Sequence, residues 1–216
     1  MPTRFDNDMK NIEDMVERMG HLARDMLLDA VESLKDRDVD LADKVIQRKD
    51  ELYDLDHTIE EQTLKTVMLY QPVARDMRNL ACILKMITYM TRIGRYGYDI
   101  AKVTKEIANQ PHVKKLIDIP AMAKVVSGMI DDVLEAYRTD DLSKIRNLAE
   151  RDDILDEERY SIFRECLTYM MEDPKTITRC THYIMVARYL ERCGDHACKI
   201  AEKIHYKVEG VHIEIS

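Results

Sequence analysis

The segment YLERCGDHACKIAEKI, residues 189–204, has a related copy elsewhere in the chain, and this repetition predicts the fold. One hundred residues earlier the sequence reads YMTRIGRYGYDIAKVT, residues 89–104. Tyr, Arg, Gly, Ile and Ala recur in register, but two acids of the later copy are absent from the earlier one. The chain therefore contains an internal repeat in which only the later copy has the paired acids.

The repeat extends over nearly the whole chain and predicts the architecture. Apolar residues at spacings of three and four form one stripe along each of the first three predicted helices, as in Met19, Leu22 and Met26. A shift of 103 residues places the apolar positions of the first two helices on apolar positions of two later ones, and a shift of 100 does so for the third. We therefore expect an all-α fold of six long helices, arranged as two pseudo-symmetric three-helix bundles at residues 1–110 and 111–216.

Turn and cap residues predict where the helices begin and end. Pro72 and Pro174 read as helix starts, since proline is tolerated in the first turn of a helix and breaks its interior. The third helix should run from near Pro72 to about Ala108, and the segment NQPHVKKLIDIP, 109–120, should link the bundles. Each helix should hold about thirty residues and extend roughly 45–50 Å. Asp38 or Asp40 should cap the second helix. The alternating tail VHIEIS suggests a short strand.

Composition narrows the class of protein. The chain has 216 residues, of which 34% are charged and 45% hydrophobic, as expected of a globular protein. A net charge of −8 without a basic stripe argues against nucleic acid as a partner. Five cysteines without a CxxC motif indicate reduced thiols in a cytoplasmic protein rather than disulfides or a zinc site. The N-terminus does not resemble a signal peptide, and no apolar run approaches the ~20 residues of a membrane span.

Two pairs of acids on the fifth and sixth helices form a candidate metal site. Asp152 and Asp156 are four residues apart, as are Glu191 and Asp195, so each pair shares one helix face. On neighbouring antiparallel helices, the two pairs would bring four carboxylates together. Such a group is unfavourable unless a cation screens it, and oxygen ligands suit Mg²⁺, Ca²⁺, Mn²⁺ or iron.

A structural interpretation of the same acids also exists. Charged residues are frequent here, and Arg151, Arg159 and Arg192 could pair with the acids in exposed salt bridges that contribute ~0–1 kcal/mol. His196 adjoins Asp195 but points about 100° around the helix, which is typical of a packed or surface histidine rather than a ligand. Spacing alone leaves both interpretations open.

The first repeat bears on this choice because it lacks all four acids together. The equivalent positions hold Lys49, Tyr53, Thr91 and Arg95. Joint loss is the pattern expected of a group that worked as one unit. The replaced face is either ion-paired internally, for instance with Asp50 or Asp99, or able to bind an anion or an acidic partner surface.

Several long motifs resemble the PhoU family of phosphate-uptake regulators. The second half resembles the family's C-terminal signature ERIGDxxxNI, with Cys193 in place of the usual Ile and Lys199 in place of the usual Asn. The segments that carry the resemblance are LADKVI at 41–46, QPVARDMRNLACILKMI at 71–87, AERDDILDEERYSIFREC at 149–166, LTYMMEDPKTI at 167–177 and ARYLERCGDHACKIAEKI at 187–204.

The resemblance implies a fold of two three-helix bundles that binds multinuclear metal clusters, iron among them, through two E(D)xxxD motifs per repeat. Only the second repeat keeps these motifs, at Asp152/Asp156 and Glu191/Asp195, so the resemblance implies one metal site rather than two. It further implies a non-catalytic, cytoplasmic homodimer that damps phosphate import and signalling. Its partners would be the membrane phosphate ABC transporter and, in bacteria, a sensor kinase.

Two other functions compete with this expectation. A di-iron oxidase of the helical-bundle class would need Glu together with ExxH pairs, and no ExxH motif carries these acids. A regulator of another transport system, such as a potassium system with the same fold, is the second alternative. The sequence shows no P-loop, GxSxG or HExxH motif that would indicate an enzyme.

Overall fold

The structure is a computed structural model in which residues 3–215 are described. Within that range the chain forms six α-helices and no strand, which confirms the predicted all-α fold. The helices are α1 (Arg4–Asp36), α2 (Val39–Tyr70), α3 (Ala74–Ile107), α4 (Asp118–Thr139), α5 (Leu148–Glu172) and α6 (Ile177–Glu209).

The six helices form two three-helix bundles, as the repeat predicts. Helices α1, α2 and α3 pack together, and so do α4, α5 and α6. The bundles meet through α3 against α6 and α1 against α4, so one apolar core runs through both. The outer helices α2 and α5, which carry the residues of interest, each contact the third helix of their own bundle.

Aromatic contacts between α3 and α6 show the pseudo-twofold relation directly. The rings of Tyr89 and His196 lie 5.5 Å apart, and those of Tyr96 and Tyr189 lie 5.2 Å apart. A shift of 100 residues exchanges the positions of one pair for those of the other. The two helices therefore run antiparallel across the pseudo-twofold axis, and the α2–α3 and α5–α6 connections lie at opposite ends of the molecule.

A repeated glycine brings the second and third helix of each bundle close together. A Cβ placed on Gly94 would lie 2.4 Å from Cδ2 of Leu52, and one on Gly194 would lie 2.5 Å from Cδ1 of Leu155. The two glycine–leucine pairs occupy equivalent positions of the repeat. This explains part of the register that the two copies share: the scaffold needs glycine at a helix contact that a methyl group would disturb.

Several predicted boundaries differ from the structure. Helix α3, Ala74–Ile107, agrees with the predicted range from near Pro72 to about Ala108, whereas Pro174 begins a short 3₁₀ turn that leads into α6. Helix α4 begins at Asp118, inside the predicted link, because Pro120 falls in its first turn, where proline costs no hydrogen bond. Asp38 caps α2 and accepts a hydrogen bond from the Leu41 amide at 2.9 Å.

Other predictions about length and regularity were wrong in part. Helices α4 and α5 contain 22 and 25 residues instead of about thirty, since a 3₁₀ turn at Leu142–Ile145 separates them. The predicted strand in the tail does not form in 211–215, the part of the tail that the structure describes, and residue 216 lies outside it. Instead the Ile215 amide donates to Glu202 of α6.

The state of the cysteines and the hydropathy of the helices agree with the predictions made from the sequence. All five cysteines are free and buried. Burial raises the pKa of the Cys82 and Cys166 thiols to about 12, so both stay protonated at neutral pH. None of the helices in residues 3–215 is long and apolar enough to cross a membrane.

Candidate functional site

The four predicted acids lie on the contact between α5 and α6. Asp152 and Asp156 belong to α5, and Glu191 and Asp195 belong to α6. A Cβ on Gly194 would fall 2.8 Å from Oδ1 of Asp152, so this carboxylate lies directly against the α6 backbone. The short connection after α5 makes the two helices an antiparallel hairpin, which brings their acids to the same level.

Burial and mutual repulsion perturb two of these acids. Asp152 Oδ1 and Glu191 Oε2 are buried oxygens without a hydrogen-bond partner in the described part of the chain. Burial, followed by the charges of Asp195, Asp156 and Glu191, raises the pKa of Asp152 to about 6. Burial also raises the pKa of Glu191, against the opposing effect of nearby arginine. The four acids are therefore close enough to sense one another's charge.

Two arginines compensate part of this negative charge. Arg159 Nε lies 3.9 Å from Oδ1 of Asp156 and 3.9 Å from Oε1 of Glu191. Arg192 donates to Asp195 Oδ2 at 2.8 Å, and its Nε lies 3.7 Å from Glu191 Oε2. Except for the Arg192–Asp195 bond, these distances are too long for hydrogen bonds, so the arginines screen the acids without saturating them.

Two neighbouring residues take no part in the site. Arg151, which the sequence offered as a partner for the acids, points to α4 instead, where it donates to Asp132 at 2.5 Å and to the Val125 carbonyl at 2.9 Å. His196 is buried between α3 and α6, and burial, with a smaller contribution from Arg92, lowers its pKa to about 4. It is a packed histidine.

The carboxylates have the chemistry of a hard-cation site but are not arranged around one point. Within residues 3–215 no three His, Cys, Asp or Glu side chains are placed as ligands of a single ion. Nevertheless, the two buried carboxylate oxygens without partners, and the mutual repulsion that raises the pKa of Asp152, fit the oxygen donors that such cations require. Asp152, Asp156, Glu191 and Asp195, hereafter the acidic site, would hold the cation, which would supply the missing positive charge.

The equivalent place in the first bundle is a basic pocket. A cavity of about 320 Å³ lies between α2 and α3, and Met26 of α1 contributes to its lining. Its polar lining consists of Lys49, Tyr53, Arg95, Tyr98, Asp99 and Lys102, hereafter the basic pocket. The predicted partner Asp50 is exposed and makes no salt bridge among the described residues, and Asp99 lies beyond salt-bridge distance of the three cations.

Comparison with known proteins identifies the family. A family model described as the PhoU domain matches residues 16–104 and again residues 119–204. The chain belongs to the PhoU family. The two matched segments fall in the two bundles of the PhoU fold seen here, although the division at residue 110 itself stays a prediction.

Relatives of this PhoU chain match it over nearly its full length. A phosphate-specific transport system accessory protein PhoU homolog from Caulobacter vibrioides is 37% identical over 95% of this chain and 90% of its own. The crystal structure of PhoU from Pseudomonas aeruginosa superposes with a TM-score of 0.92 at 30% identity, covering 96% of this chain and all of that one. PhoU from Streptococcus pneumoniae, at 24% identity and a TM-score of 0.88 over 98% of this chain and all of its own, shares the fold.

Sequence reasoning missed two parts of these sites. It named Lys49, Arg95 and Asp99 but not Tyr98 or Lys102, because a pocket between two helices has no signal in the spacing along either one. It also missed Gly194 as the residue against which the Asp152 carboxylate packs. The recurrence of glycine at positions 94 and 194 could have indicated a close helix contact.

Proposed function

We propose that this protein is a non-catalytic, metal-binding adaptor that regulates phosphate uptake and phosphate signalling. Kinship with accessory proteins of phosphate-specific transport systems, at 37% identity over 95% of the chain, carries the proposal. The names of these relatives favour the phosphate system over a potassium system with the same fold. A negative effect on import is the direction that we expect, as in the family resemblance.

The absence of a catalytic role is supported by the state of the nucleophiles. The thiols of Cys82, Cys166 and Cys198 are buried, and burial raises their pKa to about 12, so they are poor nucleophiles at neutral pH. Binding of an inorganic ion at the acidic site requires no nucleophilic side chain. We therefore assign the protein a binding role rather than a reaction.

The metal would act on the contact between α5 and α6. Iron, Mn²⁺, Mg²⁺ or Ca²⁺ would neutralise carboxylates that Arg159 and Arg192 screen only in part. Because Asp152 lies against Gly194, its charge state acts directly on the packing of the two helices. A bound cation would therefore stabilise the helix hairpin and the surface that it presents.

Elemental analysis of the purified protein tests the metal site. We expect metal in the native protein and less than about a tenth of it in Asp156→Ala and Glu191→Ala, since each loses a ligand of a cooperative group. Glu157→Ala is the matched control, because Glu157 is an exposed acid on α5 beside Asp156 and outside the acidic site. Equal metal in all four proteins would contradict the site.

Partners and location complete the proposal. We propose a cytoplasmic homodimer that contacts the phosphate ABC transporter and a sensor kinase. Exposed apolar side chains at the two helix connections are suited to such contacts. They are Leu64, Met68 and Val73 at the α2–α3 connection and Leu167, Met171 and Ile177 at the α5–α6 connection, hereafter the apolar ends.

A transport assay tests the role itself. Cells that lack the protein should take up labelled phosphate without the normal reduction at high phosphate, and the native chain should restore that reduction. A potassium uptake assay on the same cells should be unchanged. Loss of potassium control with normal phosphate control would favour the competing transport system.

A further inference from the structure

We propose that the basic pocket of the first bundle binds a small tetrahedral dianion of the phosphate class. The pocket occupies the position equivalent to the acidic site but presents three cations, two phenols and one carboxylate instead of four carboxylates. The proposal goes beyond the metal-dependent adaptor role and does not depend on it.

Charge is the first argument for an anionic ligand. Among residues 3–215 the pocket is lined by Lys49, Arg95 and Lys102 and by one acid, Asp99, which leaves an excess of two positive charges when all four are ionised. Gathering three like charges around a single counter-charge is unfavourable. None of the three cations forms a salt bridge with any residue of 3–215. A dianion would neutralise this excess.

The aromatic residues hold the lysines in place without using their hydrogen-bond donors. Lys49 Nζ lies 5.1 Å from the ring centre of Tyr98 and 5.7 Å from that of Tyr53. Lys102 Nζ lies 5.7 Å from the Tyr98 ring. Cation–π contacts of this kind orient an ammonium group but leave its N–H groups free to donate to a ligand. The phenol hydroxyls of the same rings can donate as well.

The single acid senses the cations without pairing with them. Burial raises the pKa of Asp99, while the charges of Arg95, Lys102 and Lys49 oppose that rise. All three cations therefore act on one point in the pocket at a distance longer than a salt bridge. The space between them is the cavity of about 320 Å³, which is ample for one tetrahedral anion and its hydration.

Calorimetric titration of inorganic phosphate into the metal-free protein, at constant ionic strength and with a chelator present, tests the pocket. We expect saturable binding that Lys49→Gln and Arg95→Gln each weaken about tenfold or more, since each removes a charged hydrogen-bond donor. Lys44→Gln is the matched control, because Lys44 is an exposed lysine on α2, outside the pocket. Arg95 is exposed, so its replacement should leave folding intact even if Lys49→Gln does not fold.

Further arms of the titration identify the ligand and separate the two sites. Sulfate should also bind, whereas chloride or acetate binding as strongly as phosphate would overturn the proposal. Binding of a phosphate monoester such as phosphoserine would also support the pocket. If the ester binds more tightly than inorganic phosphate, the ligand is a phosphorylated molecule. If inorganic phosphate binds more tightly, the ligand is the free ion. Asp156→Ala should bind phosphate normally. Equal phosphate affinity in the native, Lys49→Gln and Arg95→Gln proteins, or no binding at all, would overturn it.

Discussion

At the scale of single residues, Asp152 combines a structural cost with a proposed function. Its carboxylate is partly buried against Gly194 and repelled by the other acids, and its pKa rises to about 6. An unfolded aspartate titrates near pH 4, so the folded protein binds more protons between about pH 4 and pH 6. The contribution of Asp152 to the stability of the metal-free protein therefore falls as pH rises through that window and is least favourable above it.

We predict that Asp152→Asn stabilises the metal-free protein at pH 7. The amide keeps the shape of the side chain and removes the buried charge, which should raise the free energy of unfolding by about 1–2 kcal/mol after allowance for partial solvent exposure. Urea denaturation in a chelator measures it. At pH 4 the gain should largely disappear, because the native Asp152 is then protonated.

The control for this prediction is Asp153→Asn, an exposed neighbour whose replacement should change the stability by less than about 0.5 kcal/mol at either pH. A gain of the same size at pH 4 and pH 7 would show that titration of Asp152 is not its cause. The Asp152→Asn variant should also lose metal, since it removes an ionised ligand. Greater stability with lost binding is the behaviour expected of a functional residue.

At the scale of helices, close contacts at glycine fix how the first bundle is assembled. A Cβ on Gly97 of α3 would lie 2.8 Å from both the carbonyl carbon and the oxygen of Met26 in α1. Backbone atoms cannot move aside as a flexible side chain can. Helices α1 and α3 pack together in the first bundle, and Met26 also lines the basic pocket.

We predict that Gly97→Ala lowers the free energy of unfolding by about 1–3 kcal/mol, because the added methyl group forces the two backbones apart. Urea denaturation of the purified variant measures this. The matched control is Ala81→Gly at an exposed position of α3, which should cost about 1 kcal/mol through helix propensity alone. If Gly97→Ala stabilised the protein by a similar amount, propensity would dominate and the close contact would be wrong.

At the scale of the whole molecule, the pseudo-twofold symmetry places the proposed binding surfaces in separate regions of the protein. The acidic site and the basic pocket occupy equivalent places in different bundles, and the apolar ends lie at opposite ends of the molecule. Met68 and Met171 are 71% and 77% exposed, and they are equivalent positions of the repeat. Exposed methionines serve adaptable protein contacts.

We predict that the double variant Met68→Lys/Met171→Lys folds normally but binds membranes that contain the phosphate transporter several-fold less. Both side chains are exposed, so the unfolding free energy should change by less than about 0.5 kcal/mol. Co-sedimentation with transporter vesicles measures binding, and Gln47→Lys on exposed α2 surface is the control for added charge. Equal binding by all three proteins would exclude the apolar ends as the contact.

A second whole-molecule prediction concerns assembly. Sedimentation equilibrium of the purified protein should give a mass twice that of the 25.3 kDa chain, as expected of a homodimer. The mass should be independent of the metal content if the dimer contact lies outside the α5–α6 hairpin. A single species of 25.3 kDa across the accessible concentrations would contradict the dimer.

The amino-acid pattern is sufficient to predict the six helices, their order and their repeat. Stripes of apolar residues are local signals, and a sequence written twice supplies long-range information that a single helix pattern lacks. For the same reason the order of amino acids alone reveals the four acids of the second copy and their absence from the first. The pattern fixes the helix ends less closely, because Pro120 and Pro72 are compatible with positions inside or just before a helix.

Which charged side chains meet depends on how the helices pack against one another. Spacing offered Arg151 and Arg159 equally as partners of the acids, but α4 takes Arg151 through Asp132, and of these two only Arg159 remains beside Glu191. Likewise Lys102 and Lys49 line the same cavity only because α2 and α3 enclose it. Electrostatic energies depend on distance and burial between helices, and these follow from side-chain packing across the bundle rather than from the period of any one helix.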